Sequence, residues 1–141
     1  MEERWTFGGG TVVARVLAPG VLLVKMIGVQ DDPRVVHAFE GWFAKLPPQP
    51  GGFLMFWDTE ENSGYKTANR ERLEAWQKAN RARLTSIVVL VRSKLMAMAV
   101  AIANLSNGGF IKVTSDRGRF DGMIAAALPG RPRPFGASAA P

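Results

Sequence analysis

The densest group of chemically reactive side chains in the sequence is a short acidic stretch, in which Asp58, Glu60 and Glu61 follow an apolar run. Such carboxylates could bind a hard cation or act as paired acid and base. An exposed acidic loop has the same pattern, and we favour it. The chain has no cysteine, and His37 is its one histidine. Because zinc-type sites need several such ligands, we expect no metal and no cofactor.

Three consecutive glycines, Gly8-Gly9-Gly10, form a second candidate for chemistry. Glycine-rich loops bind phosphate where they connect a strand to the N-terminus of a helix. This run instead precedes a predicted strand, and it lacks the Lys-Ser or Lys-Thr pair of a Walker motif. We therefore predict that residues 1–10 are a flexible lead-in. Since no nucleophile has a recognisable base beside it, we do not expect an enzyme.

Positive charge is concentrated in one segment of the chain. The formal net charge is +6, and residues 65–94 hold 8 basic and 2 acidic side chains. This patch could meet an acidic partner surface, although a solvated helix face gives the same pattern. Nucleic acid is an unlikely partner because the aromatic residues fall at core spacing and are not interleaved with the basic ones. Lys66, Arg70 and Arg81 lie on one side of the predicted helix.

The elements that must position these residues follow from the apolar pattern. Residues 11–17 and 21–27 predict a hairpin, and Asp31-Asp32-Pro33 predicts the capped start of a first helix. Further strands are predicted at residues 53–57, 87–91 and 110–114, separated by helices at 65–84 and 95–105, with a last helix capped by Ser115 or Asp116. The acidic stretch at 58–64 is the predicted exit loop of its strand. The unbroken aliphatic run at 87–91 predicts the central strand of the sheet.

This order predicts one α/β domain at residues 11–129, with a mainly parallel sheet of four to five strands, an N-terminal antiparallel strand and about four helices. Residues 130–141 change to a Pro-, Arg- and Ala-rich composition and predict a disordered tail. The absence of cysteine and of a basic, apolar leader indicates a cytoplasmic protein. No apolar stretch approaches the roughly 20 residues that cross a bilayer.

Three short motifs resemble the STAS domain of bacterial anti-sigma-factor antagonists, the SpoIIAA-like family. Residues 26–31 (Met-Ile-Gly-Val-Gln-Asp) are similar to the family's entry to its first helix. Residues 56–64 are similar to its strand, aspartate, loop and Asp-Ser-Ser-Gly helix start, and residues 105–113 to its last helix end and strand. Glu61-Asn62 and Tyr65-Lys66 depart from the family pattern, so the resemblance is to a divergent member.

The resemblance implies a regulatory module that binds a protein, such as a regulatory kinase or an anti-sigma-like factor. It also implies that Ser63 takes the place of the phosphorylated serine. Ser63 as a simple helix N-cap is the alternative. The candidate partner-binding residues are Asp58, Asn62, Ser63, Gly64, Lys66, Arg70 and Arg81. A homodimer formed through the edge of the opening hairpin is also possible.

A second hypothesis is a carrier for a small apolar or lipid-like ligand. The helix predicted at 95–105 is rich in Ala and Met, and its Met96 and Met98 could form adaptable walls against the sheet. An ordinary packed core satisfies the same pattern, so both interpretations stay open.

Overall fold

The computed structural model describes residues 2–103 and 110–129, so the predicted tail at 130–141 lies outside the described residues. The sheet strands are β1 (Glu2–Phe7), β2 (Gly10–Ala18), β3 (Val21–Gln30), β4 (Phe53–Tyr65), β5 (Leu84–Leu90) and β6 (Ile111–Thr114). The helices are α1 (Pro33–Ala44), α2 (Thr67–Ala79), α3 (Lys94–Ala103) and α4 (Arg117–Ala127). Within these two ranges, no helix combines the length and the apolar character needed to span a bilayer.

The strands lie side by side in the order in which they occur along the chain, from β1 to β6. Pairs β1/β2 and β2/β3 are antiparallel, whereas β3/β4, β4/β5 and β5/β6 are parallel. Tight turns can join only antiparallel neighbours, while the parallel pairs need helical crossovers. The predicted α/β class, the antiparallel start and the mainly parallel sheet are therefore confirmed.

Two strand predictions were wrong. Residues 2–7, expected in a flexible lead-in, form edge strand β1, which pairs with β2 from Glu2–Arg15 to Phe7–Gly10. This strand raises the count to six. The aliphatic run of β5 does not form the centre of the sheet, because β3 and β4 lie there. An apolar run shows that a strand is covered on both faces, but it does not give the strand's place in the sheet.

The sheet is covered on both faces. On one face, α1 and α2 bury a cluster that includes Phe39, Phe43, Trp57 and Trp76. On the other face, Phe120 of α4 packs against a second cluster that includes Phe56, with ring centroids 5.7 Å apart. Trp57 and Phe56 are neighbours on β4, so alternate residues of this strand serve opposite cores.

The predicted caps of the first and last helices are confirmed. Asp32 accepts a hydrogen bond from the Arg34 backbone N–H at 2.9 Å at the start of α1, and Pro33 occupies the first turn. Asp116 accepts one from the Arg119 backbone N–H at 3.0 Å at the start of α4. The side-chain hydrogen bond from Arg34, followed by the backbone one, lowers the pKa of Asp32 to about 2.

The predicted loop at residues 58–64 is instead a continuation of β4. The strand runs to Tyr65 because the second half of β3 pairs with it, through register shifts, as far as Gln30 and Tyr65. Helix α2 therefore begins only at Thr67, with Lys66 in the N-cap position and no side-chain cap. Ser63 lies within the strand, so its predicted role as the N-cap of this helix is wrong.

Candidate ligand cavity and the end of strand β4

The buried polar groups at the carboxyl ends of β3 and β4 fix the start of α2. The backbone carbonyl of Gln30 accepts hydrogen bonds from the Lys66 backbone N–H at 2.9 Å and from Asn69 Nδ2 at 3.0 Å. Gln30 Nε2 donates to Asn62 Oδ1 at 3.2 Å. The side chains of Gln30, Asn62 and Asn69 are all buried. Because buried polar groups are costly to leave unpaired, this network determines where β4 ends and α2 begins.

The glycine run at residues 8–10 closes the turn from β1 to β2 against the end of β3. The Gly9 backbone N–H donates to Asp31 Oδ1 at 2.9 Å, and the Gly9 carbonyl accepts from the Val29 backbone N–H at 3.0 Å. Gly28 has a φ of +78°, and a side chain there would collide with the Gly9 carbonyl oxygen. The glycines therefore allow the backbones of the turn and of β3 to pack closely. The N–H of Gly9 is already hydrogen-bonded to the carboxylate of Asp31.

Two carboxylates of the acidic stretch, Asp58 and Glu60, pair with an arginine from α4, whereas Glu61 pairs with Lys25 at 2.6 Å. The Arg117 guanidinium lies 2.9 Å from Asp58 Oδ2, 2.7 Å from Glu60 Oε1 and 3.4 Å from Asp121 Oδ1. Partial burial lowers the pKa of Arg117, but hydrogen bonds to Glu60 and Asp58 outweigh this effect and raise it. The predicted exposed loop is wrong for Asp58, which is buried. In the part of the chain that the structure describes, no cluster of three or more acidic or histidine side chains is arranged to hold a metal ion.

A cavity of about 240 Å³ opens on the opposite face of the sheet, between α2 and strands β4 to β6. Its wall is largely apolar, and the indoles of Trp57 and Trp76 are its largest groups. Other lining residues are Thr59, Tyr65, Arg70, Leu73, Glu74, Gln77, Ile87, Val89 and Ile111. Pockets of this kind, apolar with a few polar groups, are typical sites for small ligands.

The two indoles in the cavity wall are held from behind by other rings. Phe39 of α1 lies 5.2 Å from Trp57 and 4.8 Å from Trp76, measured between ring centroids, and both contacts are edge-on. Trp76 also meets Phe43 at 5.0 Å. Such contacts fix the orientation of the rings before any ligand arrives. The cavity wall is therefore preorganised.

Tyr65 forms the part of the cavity wall nearest the end of β4. Tyr65 as a whole is 36% exposed. Its hydroxyl nevertheless points inward and donates a hydrogen bond to Met26 Sδ at 3.3 Å. Burial of the hydroxyl raises the pKa of Tyr65 to about 12. The neutral phenol is therefore the form that the folded protein favours.

Charged side chains of the cavity come from α2. Arg70 and Glu74 are exposed, and both line the opening. They lie one helical turn apart, a spacing that permits an ion pair. Among the ion pairs of the described residues, however, neither side chain takes part. By contrast, Arg72 on the same helix pairs with Glu40 at 2.8 Å.

The structure divides the predicted partner-binding residues into three groups. Ser63, Lys66 and Arg70 are exposed around the end of β4, and Gly64 is half-buried beside them. Asp58 and Asn62 are buried in the contacts described above. Arg81 follows the C-terminus of α2 and stacks over the Phe110 ring at 4.4 Å. Because α2 has 13 residues and is about 20 Å long, Arg81 lies at the opposite end of this helix from Lys66 and Arg70.

Met96 and Met98, the predicted residues of a ligand pocket, lie outside this cavity. They are 43% and 61% exposed on α3. Trp57 and Trp76 were not predicted as cavity residues, because the spacing of the aromatic residues fits an ordinary core. One signal was available, since α2 carries few large apolar side chains. Of its residues only Asn69 and Trp76 are buried, so the helix leaves space above the sheet.

Comparisons with known proteins identify the fold. No family model and no curated protein matches the chain. A solved structure with a TM-score of 0.61 is an uncharacterized protein of the DUF3478 family from Shewanella loihica PV-4, described as having a SpoIIAA-like fold. The match covers 85% of this chain and 97% of the other, at 14% sequence identity. At such identity the likeness shows the fold alone. The chain thus has a SpoIIAA-like fold, and the fold inferred from its sequence motifs is confirmed.

Proposed function

We propose that this protein binds a small molecule whose apolar part fills the cavity beneath α2. The observation that carries the proposal is the cavity of about 240 Å³ itself, whose wall contains two fixed indoles and the four aliphatic side chains of Leu73, Ile87, Val89 and Ile111. The hypothesis of a ligand carrier is retained, but the proposed binding site lies beneath α2 and not beside α3. An apolar ligand gains free energy here by removing its own surface and that of the wall from water.

A dye-binding titration tests this proposal. N-phenyl-1-naphthylamine is an uncharged apolar dye that brightens when it leaves water, and we expect saturable binding to the wild-type protein. Val89→Phe should reduce the affinity about tenfold or more, because the larger ring occupies cavity volume. Leu95→Phe is the matched control, since Leu95 is 77% exposed on α3 and lies outside the cavity. Absence of saturable binding, or equal affinity in both variants, would refute the proposal.

A regulatory protein-binding surface is the second candidate. One observation favours it, namely that Ser63 is exposed on the last part of β4 close in sequence to the exposed Lys66 and Arg70. A phosphate on Ser63 would add about −1.5 to −2 charges to this basic surface. An acidic partner that docks there, such as a regulatory kinase or an anti-sigma-like factor, would then be repelled.

A cytoplasmic location and a homodimer also stay predictions.

Pull-downs with matched baits test the second candidate. Wild type and Ser63→Ala should retain the same partner, and Ser63→Glu should lose it. Replacing Lys66 and Arg70 by Ser should weaken binding and reduce its salt dependence, whereas Arg81→Ser, at the far end of α2, should change neither. Partner lists that do not differ between Ser63→Ala and Ser63→Glu would contradict the switch.

A further inference from the structure

We propose that the ligand of the cavity beneath α2 is a small aromatic zwitterion, of the chemical class of an aromatic amino acid. The inference rests on the proposed small-molecule function and adds the chemistry of the ligand. Its aromatic ring would lie against Trp57 and Trp76, and its carboxylate and ammonium groups would meet Arg70 and Glu74 at the opening.

The size and shape of the cavity suit one aromatic ring with a short side chain. A dry protein cavity of about 150 Å³ is large enough for benzene. The cavity beneath α2 measures about 240 Å³, which leaves room for several further atoms. Trp57 and Trp76 meet at an interplanar angle of 61°, with centroids 6.4 Å apart. Aromatic rings favour edge-to-face and offset contacts with one another, so the two indoles suit an aromatic ligand.

The charges at the opening select the polar end of the ligand. Arg70 offers a planar guanidinium, which suits a carboxylate, while Glu74 offers an acceptor that suits an ammonium group. Several other arginines already have partners. Arg72 pairs with Glu40, Arg117 pairs with Asp58, and Arg92 donates to the Glu60 and Asn62 carbonyls at 3.2 and 3.1 Å.

A molecule with a single charge fits this opening less well. An anion that approaches Arg70 also meets the carboxylate of Glu74, and a cation that approaches Glu74 also meets Arg70. A zwitterion satisfies both side chains, because each of its charges faces the opposite one. Opposite charges at close range attract, and like charges at the same range repel, so the pair discriminates between ligands.

Four matched probes test the inference at pH 7. Phenylalanine carries both charges, 3-phenylpropionate only the carboxylate, phenethylamine only the ammonium, and ethylbenzene neither. Binding is followed by the indole N–H resonances of ¹⁵N-labelled protein, assigned with single Trp→Phe variants. The chain has 4 tryptophans, of which Trp57 and Trp76 line the cavity, so Trp5 and Trp42 serve as internal controls.

We expect phenylalanine to shift the Trp57 and Trp76 resonances and to bind about tenfold or more tightly than each of the other three probes. Arg70→Gln should lower its affinity to that of phenethylamine for the wild type. Glu74→Gln should lower it to that of 3-phenylpropionate. Glu71→Gln is the control, because Glu71 is exposed on the same helix and does not line the cavity.

The possible failures are distinguishable. If the apolar dye binds but phenylalanine is no better than ethylbenzene or a singly charged probe, the ligand class is wrong and the proposed function stands. If phenylalanine binds best but both charge variants leave its affinity unchanged, the assignment to Arg70 and Glu74 is wrong. If neither the dye nor any probe perturbs the cavity tryptophans, the proposed function fails with the inference.

Discussion

Arg117 Nη2 of α4 lies 2.9 Å from Asp58 Oδ2 of β4, and the two side chains differ sharply in exposure, at 39% and 7%. The buried carboxylate of Asp58 thus has a guanidinium partner that lies partly at the surface. Replacing Arg117 by Met should lower the free energy of unfolding by about 1–3 kcal/mol, because a buried carboxylate loses its partner. Urea denaturation at pH 7 measures the change.

The matched control for this variant is Arg119→Met on the same helix. Arg119 is exposed, and its backbone N–H donates to Asp116 Oδ1 at 3.0 Å. Its replacement should change the unfolding free energy by less than about 0.5 kcal/mol. Adding Asp58→Asn to Arg117→Met should restore part of the loss, since the unpaired charge is removed. Equal effects of the two arginine variants would contradict a neutralising role for Arg117.

Ser63 should contribute little to stability. It is exposed on β4 and caps no helix, so Ser63→Ala should change the free energy of unfolding by less than about 0.5 kcal/mol. Asp116→Ala should cost about 1 kcal/mol, because the carboxylate of Asp116 caps α4. Thermal and urea unfolding of the two variants side by side make the comparison. A loss at Ser63 as large as that at Asp116 would restore the capping role.

Tyr65 is the one tyrosine of the chain, so its ionisation is visible without assignment. Difference absorbance of the phenolate should titrate with a midpoint of about 12, above the ordinary value of 10.0, because the hydroxyl is buried. The folded protein keeps the phenol protonated to a higher pH than the unfolded chain does. The stability that depends on the neutral phenol is therefore fully present below pH 10 and is lost as the pH rises from 10 towards 12.

Tyr65→Phe checks the origin of that loss. The variant should lack the absorbance change, and its stability should fall less between pH 10 and 12 than that of the wild type. A phenol midpoint near 10 in the folded wild-type protein would show that the hydroxyl is open to water.

Gly28 and Gly41 should respond in opposite directions to the same substitution. Gly28→Ala places a methyl group against the Gly9 carbonyl oxygen at a φ of +78°, so it should lower the unfolding free energy by about 2 kcal/mol or more. Gly41 lies exposed on α1 with open space around it, and Gly41→Ala should stabilise the protein by about 0.5–1 kcal/mol. Urea denaturation tests both values: the midpoint should shift while the dependence of the unfolding free energy on urea concentration stays the same.

Helix starts that depend only on residues close together in the sequence were predicted correctly. The Asp32 and Asp116 caps were predicted correctly, because a cap joins a side chain to an N–H only a few residues ahead. The end of β4 was missed because it depends on distant partners. Residues 58–64 are polar and suggest a loop, yet pairing with β3 keeps them extended as far as Tyr65.

The class of this protein follows from its sequence, since alternating apolar runs with capped helices permit an α/β sheet and short motifs indicate the SpoIIAA-like fold. Which side chains meet depends on how the separate elements pack. Arg117 reaches Asp58 across 59 positions of the chain (117 minus 58), and Trp57 and Trp76 meet over a space that a polar α2 leaves unfilled. The physical reason is that periodicity is a property of neighbouring residues, whereas charge pairing and cavity volume depend on how separate elements pack.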